Sequence, residues 1–270
     1  MTRTLLRLLE RTRLLRPAWR AVEALRAWRG RGLEQERVAP DGLPLPPTRL
    51  VVLVAGTPEP EWFLESGALA ADSIRAALVK AGVELERLGA ILDFGCGCGR
   101  VLRHWSTLEG PEIWGTDYNE RLVAWCRDNL PFARVERNEL EPPLPLEADR
   151  FDLVYGLSVF THLPERLQHA WMDELRRVVT PGGHLLLTTH GRHYLDRLHE
   201  EERQRFLAGE LVVRWERVAG TNLCAAYHPQ AWVTEQLASD FELVEFVPEG
   251  AQGNPHQDLY LLRKPALPGS

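Results

Sequence analysis

Short apolar runs separated by turn residues alternate with amphipathic stretches from Ala90 onward. Ala90–Phe94, Glu112–Asp117, Ala133–Glu136, Asp152–Leu157 and His184–Thr189 read as five strands of the kind buried in a parallel sheet. Glu120–Asn129 and Pro164–Val179 carry apolar positions at helical spacing, the second with proline at its start, and Arg100–Leu108 is a further helix candidate. Tyr194–Leu207 and Pro229–Ser239 read as helices, and Leu211–Val218 and Thr221–Tyr227 as strands. Phe241–Val247 and Asp258–Leu262 supply a closing hairpin. Strand–helix alternation of this kind predicts right-handed crossovers and a doubly wound α/β sheet. In such sheets ligands lie beyond the carboxyl ends of the strands, which brings Asp93, Asp117, Asn138 and Ser158 to one rim.

Upstream the pattern changes. Leu5, Leu8, Leu15, Trp19 and Val22 recur at helical spacing with arginines between them, which predicts an N-terminal helical arm; Pro17 marks a second short helix. Residues 39–60 hold six prolines and read as an extended connector, with Leu50–Val54 a short strand inside it. Glu61–Gly67, EWFLESG, then precedes a helix from about Ala68 to Ala81. The expected organisation is a basic helical arm (1–37), a connector with a lid and helix (38–84), and a main domain (85–270) carrying an insertion at about 191–228.

At 270 residues and 44% hydrophobic, the chain can form one large α/β domain with a short addition. It has no uninterrupted apolar run of spanning length, and its arginine-studded start lacks the apolar core of a secretory signal. The cytoplasm is the expected compartment. A net charge of −6 argues against general nucleic-acid binding by the main body. Residues 1–37 hold ten Arg against four Glu, a surplus of about +6 that leaves roughly −12 on the rest. Such an arm either packs on its own domain or a second subunit, or makes peripheral contact with an anionic membrane; the packed arm is the simpler expectation. Trp19 and Trp28 mark a candidate homodimer contact. The four cysteines do not resemble a disulfide framework, and Cys96-x-Cys98 without a second pair predicts no metal.

Candidate chemistry concentrates at Ile91–Arg100, ILDFGCGCGR: a buried strand, an acid, then glycines at every second position. Gly95, Gly97 and Gly99 remove side chains where the backbone turns sharply and a ligand approaches. A phosphate-binding P-loop needs Lys and Ser or Thr after its last glycine, where this chain has Arg100-Val101. The dinucleotide fingerprint is G-x-G-x-x-G, whereas the glycines here fall as G-x-G-x-G. A carboxylate at Asp93 repels pyrophosphate but suits a ligand bearing an ammonium group.

The pattern D-x-G-x-G-x-G resembles motif I of the class I SAM-dependent methyltransferases. IWGTDYN, RNELEPPLP and FDLVYGLSVFTHLPE with LRRVVTPGGHLLLTTHG extend the resemblance over about residues 85–190. It implies a Rossmann-like seven-stranded sheet, mostly parallel with an antiparallel last strand, and S-adenosyl-L-methionine (SAM) as cofactor. It implies that Gly95, Cys96, Gly97 and Gly99 form the turn with Asp93 near the methionine amine. By the same resemblance Asp117 is expected to accept from the ribose hydroxyls and Tyr118 to cover the adenine, and Asn138 stands where the family commonly has Asp at the adenine edge. Ser158 completes the rim. An isolated Asp117 would equally serve as a helix N-cap.

The expected reaction is methyl transfer to a small-molecule acceptor, O-methylation first, of the bacterial glycan or secondary-metabolite type. No Asn-Pro-Pro-Tyr-like tetrapeptide follows strand four, which lowers nucleic-acid substrates. His190, Tyr227 and His228 are the base candidates, because His titrates near neutral pH and Tyr can relay a proton. Trp62, Phe63, His162 and His256 are candidates for the acceptor pocket. The alternatives are a membrane-associated enzyme with a lipid-linked acceptor, and a SAM-fold binding protein without catalysis.

Overall fold

The computed structural model describes residues 3–30, 38–254 and 256–266. β1 (Ala90–Phe94) is buried at every position and pairs in parallel with β2 (Glu112–Asp117) on one side and β4 (Phe151–Gly156) on the other. β3 (Ala133–Arg137) continues the sheet beyond β2, and β5 (Val179–His190) beyond β4, both in parallel. β9 (Gln257–Arg263) runs antiparallel to β5 and pairs at its far side with β8 (Glu242–Ala251). The core order is therefore β3-β2-β1-β4-β5-β9-β8, seven strands with β9 the reversed one. A short ribbon of β6 (Val212–Arg214) and β7 (Ala225–Tyr227) joins the end of β5 through His190 and Tyr227, which raises the total to nine. The strands expected over Leu211–Val218 and Thr221–Tyr227 are thus three residues each.

Successive strand residues face opposite sides, so each strand feeds two cores. Leu92, Phe94, Val154, Leu185 and Leu187 pack under α6 (Glu165–Val178) through Leu167, Trp171 and Leu175. Ile91, Leu153, Tyr155 and Leu186 pack on the other face under α4 (Pro60–Lys80) and α5 (Glu120–Asn129).

Five expectations change. Leu50–Val54 is not a strand: it lies in α3 (Thr48–Ala55), which follows Pro47 and ends at Gly56 with φ 71°. EWFLESG is not a separate lid before a helix, because it forms the first two turns of α4. Arg100–Leu108 folds as tight turns around one 3-10 turn, Leu102–Trp105. In the insertion, Arg192–Arg197 is a 3-10 segment followed by α7 (Glu200–Leu207). The helix expected over Pro229–Ser239 is α8 (Gln230–Trp232) continued by a wider π turn, Val233–Leu237.

The arm comprises α1 (Arg3–Arg11) and α2 (Leu15–Arg29), and it packs on its own domain. Leu15 is buried with Val218 and Cys224, and Leu6 and Leu9 pack alongside. Arg26 donates to the Gly56 carbonyl at 3.2 Å and Arg217 to that of Glu10 at 3.3 Å. Residues 31–37 of the expected arm lie outside the described residues. Among the described residues no helix is long and apolar enough to cross a membrane.

Candidate active site

The chain reverses directly after β1. The N–H groups of Gly95 and Cys96 both donate to the Thr116 carbonyl, at 2.8 and 2.9 Å, which ties the turn to β2. Gly95 and Gly97 adopt φ of 80° and 58°, the left-handed region that glycine enters without a Cβ penalty. A Cβ on Gly97 would lie 2.7 Å from Val54 of α3, so the neighbouring helix closes directly over the turn.

At the end of β2, Asp117 accepts from the Gly97 N–H at 3.0 Å and from the Asn119 N–H at 2.8 Å. The N-cap of α5 is Asn119, whose side chain accepts from Arg121, so Asp117 does not serve as the cap. Burial pushes its pKa up to about 6, against those two backbone bonds. Asp93 is 4% exposed and forms no ion pair among the described residues. Burial pushes its pKa up to about 7; the Tyr155 hydroxyl and Arg100 act in the opposite sense, while Asp117 adds to the rise. Arg100 is itself anchored elsewhere, donating to the Ser66 carbonyl at 2.9 Å and to Asn254 at 2.7 Å.

Asn138 spends its side-chain NH2 on the Glu139 carbonyl at 2.6 Å, and its buried Oδ1 has no partner among the described residues. Ser158, with φ 61°, donates its N–H to Thr188 at 2.8 Å, and its hydroxyl accepts from Gln257 at 2.9 Å. Tyr118 donates its hydroxyl to the Gly220 carbonyl at 2.6 Å, so the inserted segment meets the β2 rim there.

These groups share one cavity of about 1530 Å³. Asp93, Gly95, Cys96, Gly97, Asp117, Tyr118, Asn138 and Ser158 all line it. So do Trp62, His162, Tyr194 and Arg197, and α2 forms a side wall through Arg16, Trp19, Arg20, Glu23 and Ala27. Sequence reasoning did not single out Arg100, Gln257, Tyr194 or the α2 wall as part of this site.

Six candidates do not reach the wall. Gly99 sits against Leu130 and Cys126, and Phe63 is fully buried with Leu50, Val51, Cys98 and Leu122. His190 holds the Ala226 carbonyl at 3.2 Å, and burial together with the nearby His162 depresses its pKa to about 3. Tyr227 packs with Leu198, Phe206 and Val212. His228 is fully buried, bonded to Gln168 at 2.9 Å, and burial depresses its pKa to about 3 as well. His256 pairs with Glu249 at 2.8 Å and stacks on His193 at 3.7 Å. Each of the three base candidates from the sequence is thus held by packing and polar contacts away from the cavity.

His162 does reach it. Its Nδ1 lies 2.7 Å from the Cys224 carbonyl, an acceptor only, so Nδ1 carries the proton and Nε2 keeps a lone pair. Burial lowers its pKa below the usual histidine value, and the ring is neutral at pH 7.

A family model described as a methyltransferase domain matches residues 68–246. The ubiquinone/menaquinone biosynthesis C-methyltransferase UbiE of Burkholderia vietnamiensis is 24% identical over 180 residues, 62% of this chain and 62% of that protein. The chain thus spans less than two thirds of the length of such relatives. A SAM-dependent methyltransferase structure from Methanosarcina mazei matches with a TM-score of 0.52 at 19% identity, covering 70% of this chain and 98% of that one. The glycopeptide N-methyltransferase MtfA complexed with sinefungin matches with a TM-score of 0.52 at 16% identity, covering 73% and 87%. At these identities the solved structures share the fold.

Proposed function

Because the chain belongs to the class I SAM-dependent methyltransferases, we propose that it methylates a hydroxyl of a small-molecule acceptor, with His162 as general base. The residues present fit the cofactor. Asp93 offers a buried carboxylate without an ion-pair partner to an ammonium group, and Asn138 offers an unpartnered buried oxygen to an amino group. Each Asp117 oxygen accepts one N–H and has capacity left for ribose hydroxyls. Bound SAM supplies an electrophilic methyl group on a sulfonium and departs as a neutral thioether.

The protein's remaining tasks are alignment and proton removal. The observation that carries the reading is His162: a neutral imidazole on the cavity wall whose Nδ1–H is fixed by Cys224 and whose Nε2 has no hydrogen-bond partner among the described residues. As the acceptor oxygen gains the methyl group, its hydroxyl proton passes to Nε2. Trp62, Trp19 and Tyr194 supply aromatic wall that excludes water from the reacting atoms. The relatives' printed names include carbon and nitrogen methylation; a hydroxyl is favoured here because it needs the base that this cavity contains.

The test is an acceptor screen reading S-adenosylhomocysteine release, followed by identification of the methylated atom. His162→Ala should lose turnover on the identified acceptor while SAM affinity is retained. Wild-type turnover by that variant, or a product methylated on nitrogen or carbon, defeats the reading.

A further inference from the structure

Exposed apolar side chains crowd into the arm. Leu5, Leu8, Leu14, Leu25 and Trp28 are 42–61% exposed, five of the eleven large exposed hydrophobics among the described residues. On α2 the arrangement is two-sided. Leu14 and Leu25 are about three helical turns apart with Ala18 and Ala21 between them, so these four make one stripe. The opposite side, Arg16, Trp19, Arg20, Glu23 and Ala27, walls the cavity. Trp28 stands at the border of the two sides.

Arginines flank the stripe. Arg13 and Arg29 stand at its two ends, and Arg16 and Arg20 lie on the cavity side; all four are exposed and make no ion pair or side-chain hydrogen bond among the described residues. Residues 1–37 carry a surplus of about +6 while the remainder carries roughly −12. A second copy docking arm to arm by a two-fold axis would set arginine against arginine. An anionic surface meets the same arginines favourably and repels the acidic body, so it selects the arm as the contacting end.

We propose that α1 and α2 dock this protein on an anionic membrane surface, with Leu14, Leu25 and Trp28 entering the headgroup–acyl boundary. Arg13 and Arg29 lay their stems along the apolar layer and their guanidinium groups against lipid phosphates. Because α2 is also a wall of the cavity, docking sets the cavity mouth beside the bilayer, where a lipid-anchored molecule has the shortest path to it. The docking is independent of which atom is methylated.

Vesicle flotation of the full chain tests this without any activity measurement. The protein should float with phosphatidylcholine vesicles containing phosphatidylglycerol and remain behind with phosphatidylcholine alone. Raising salt from about 0.1 M to about 1 M shortens the screening length from about 10 Å to about 3 Å and should release it. Leu14→Glu with Leu25→Glu should abolish flotation without changing Tm or SAM affinity, since both side chains are exposed and off the cavity wall. Arg13→Gln with Arg29→Gln should weaken binding by roughly thirtyfold. No flotation on anionic vesicles at low salt overturns the proposal, as does undiminished flotation of the Leu14/Leu25 variant. A wild-type dimer that the same variant splits, without flotation, overturns it in favour of a second copy.

Discussion

The Trp105 indole N–H donates to the Tyr155 hydroxyl at 2.7 Å, which leaves the hydroxyl proton for Asp93. Asp93 and Tyr155 are register partners across β1 and β4, so the contact is built into the sheet. Trp105 comes from the 3-10 turn after the glycines and is itself buried. The chain leaving the glycine turn thus folds back to set the ionisation of the acid that precedes it.

That ionisation should appear in cofactor binding. With a pKa near about 7, Asp93 is about half protonated at neutral pH before any ligand arrives. An ammonium group favours the ionised form, so binding releases a proton. SAM affinity should be flat above about pH 8 and fall by up to about tenfold per unit below pH 7. Asp117, with its pKa at about 6, steepens the fall at lower pH. Tyr155→Phe removes a hydrogen bond that favours the carboxylate, so the midpoint should move to higher pH; Asp93→Asn should flatten the profile. Calorimetry in buffers of different ionisation enthalpy reads the proton release, and a flat wild-type profile would contradict the account.

Asp117 holds two backbone N–H groups and, in the proposed reading, the cofactor's ribose, and substitution can separate the two. Asp117→Ala strands the N–H groups of Gly97 and Asn119, which costs about 1–3 kcal/mol for each buried group. Asp117→Asn keeps one oxygen acceptor and should fold better. Both should weaken SAM by about 10- to 100-fold, the value of one or two charge-assisted hydrogen bonds. Thermal unfolding without ligand, set beside SAM titration, distinguishes the structural loss from the binding loss.

His190 and His228 should behave as structural residues. Both have folded-state pKa values of about 3, held below the ordinary value by burial. The stability they contribute as neutral groups is full above about pH 6.5 and is lost as pH falls from there toward 3. The slope reaches about 1.4 kcal/mol per pH unit for each histidine. His228→Gln should therefore make unfolding less sensitive to acid across that window while leaving turnover per folded molecule unchanged. Urea titrations at several pH values measure the slope; loss of turnover with intact stability would return His228 to the catalytic candidates.

Strand order and the gathering of strand-end residues around one cavity were legible in the sequence because they depend on local signals. Glycines in a left-handed turn, an acid at a strand end and the short apolar runs of β1, β4 and β5 all declare themselves within a few residues. Leu50–Val54 misled because a continuous apolar run has no periodicity to separate strand from helix. The deciding marks were Pro47 before it and Gly56 after it, which are helix-boundary residues. The base candidates fell away from the cavity for another reason. His190 does sit at a strand end, but its ring turns into the β5–β7 junction, and no local pattern encodes that direction. The placement of α2 along the cavity is equally non-local, since it rests on Leu15 meeting Val218 and Cys224 some two hundred residues away.

Gly67 offers the sharpest test of how the site is braced. It lies inside α4, where alanine is intrinsically favoured over glycine by about 1 kcal/mol. A Cβ there would overlap the Arg100 carbonyl oxygen and stand 2.9 Å from His104 Nε2. The backbone oxygen cannot rotate away, because the turn containing it is held by the Gly99 carbonyl bond to Arg103 and by the Arg100 side chain on Ser66. Overpacking of this kind costs about 1–3 kcal/mol, so it outweighs the helix propensity. Gly67→Ala should lower Tm by several degrees, on the order of 2–4 °C per kcal/mol for a chain of this size. Displacement of the 95–100 turn should also weaken SAM. Glu65→Ala, exposed on the same helix, should change stability by no more than about 0.5 kcal/mol. If Gly67→Ala were as stable as Glu65→Ala, the close approach of α4 to the glycine turn would not exist in solution.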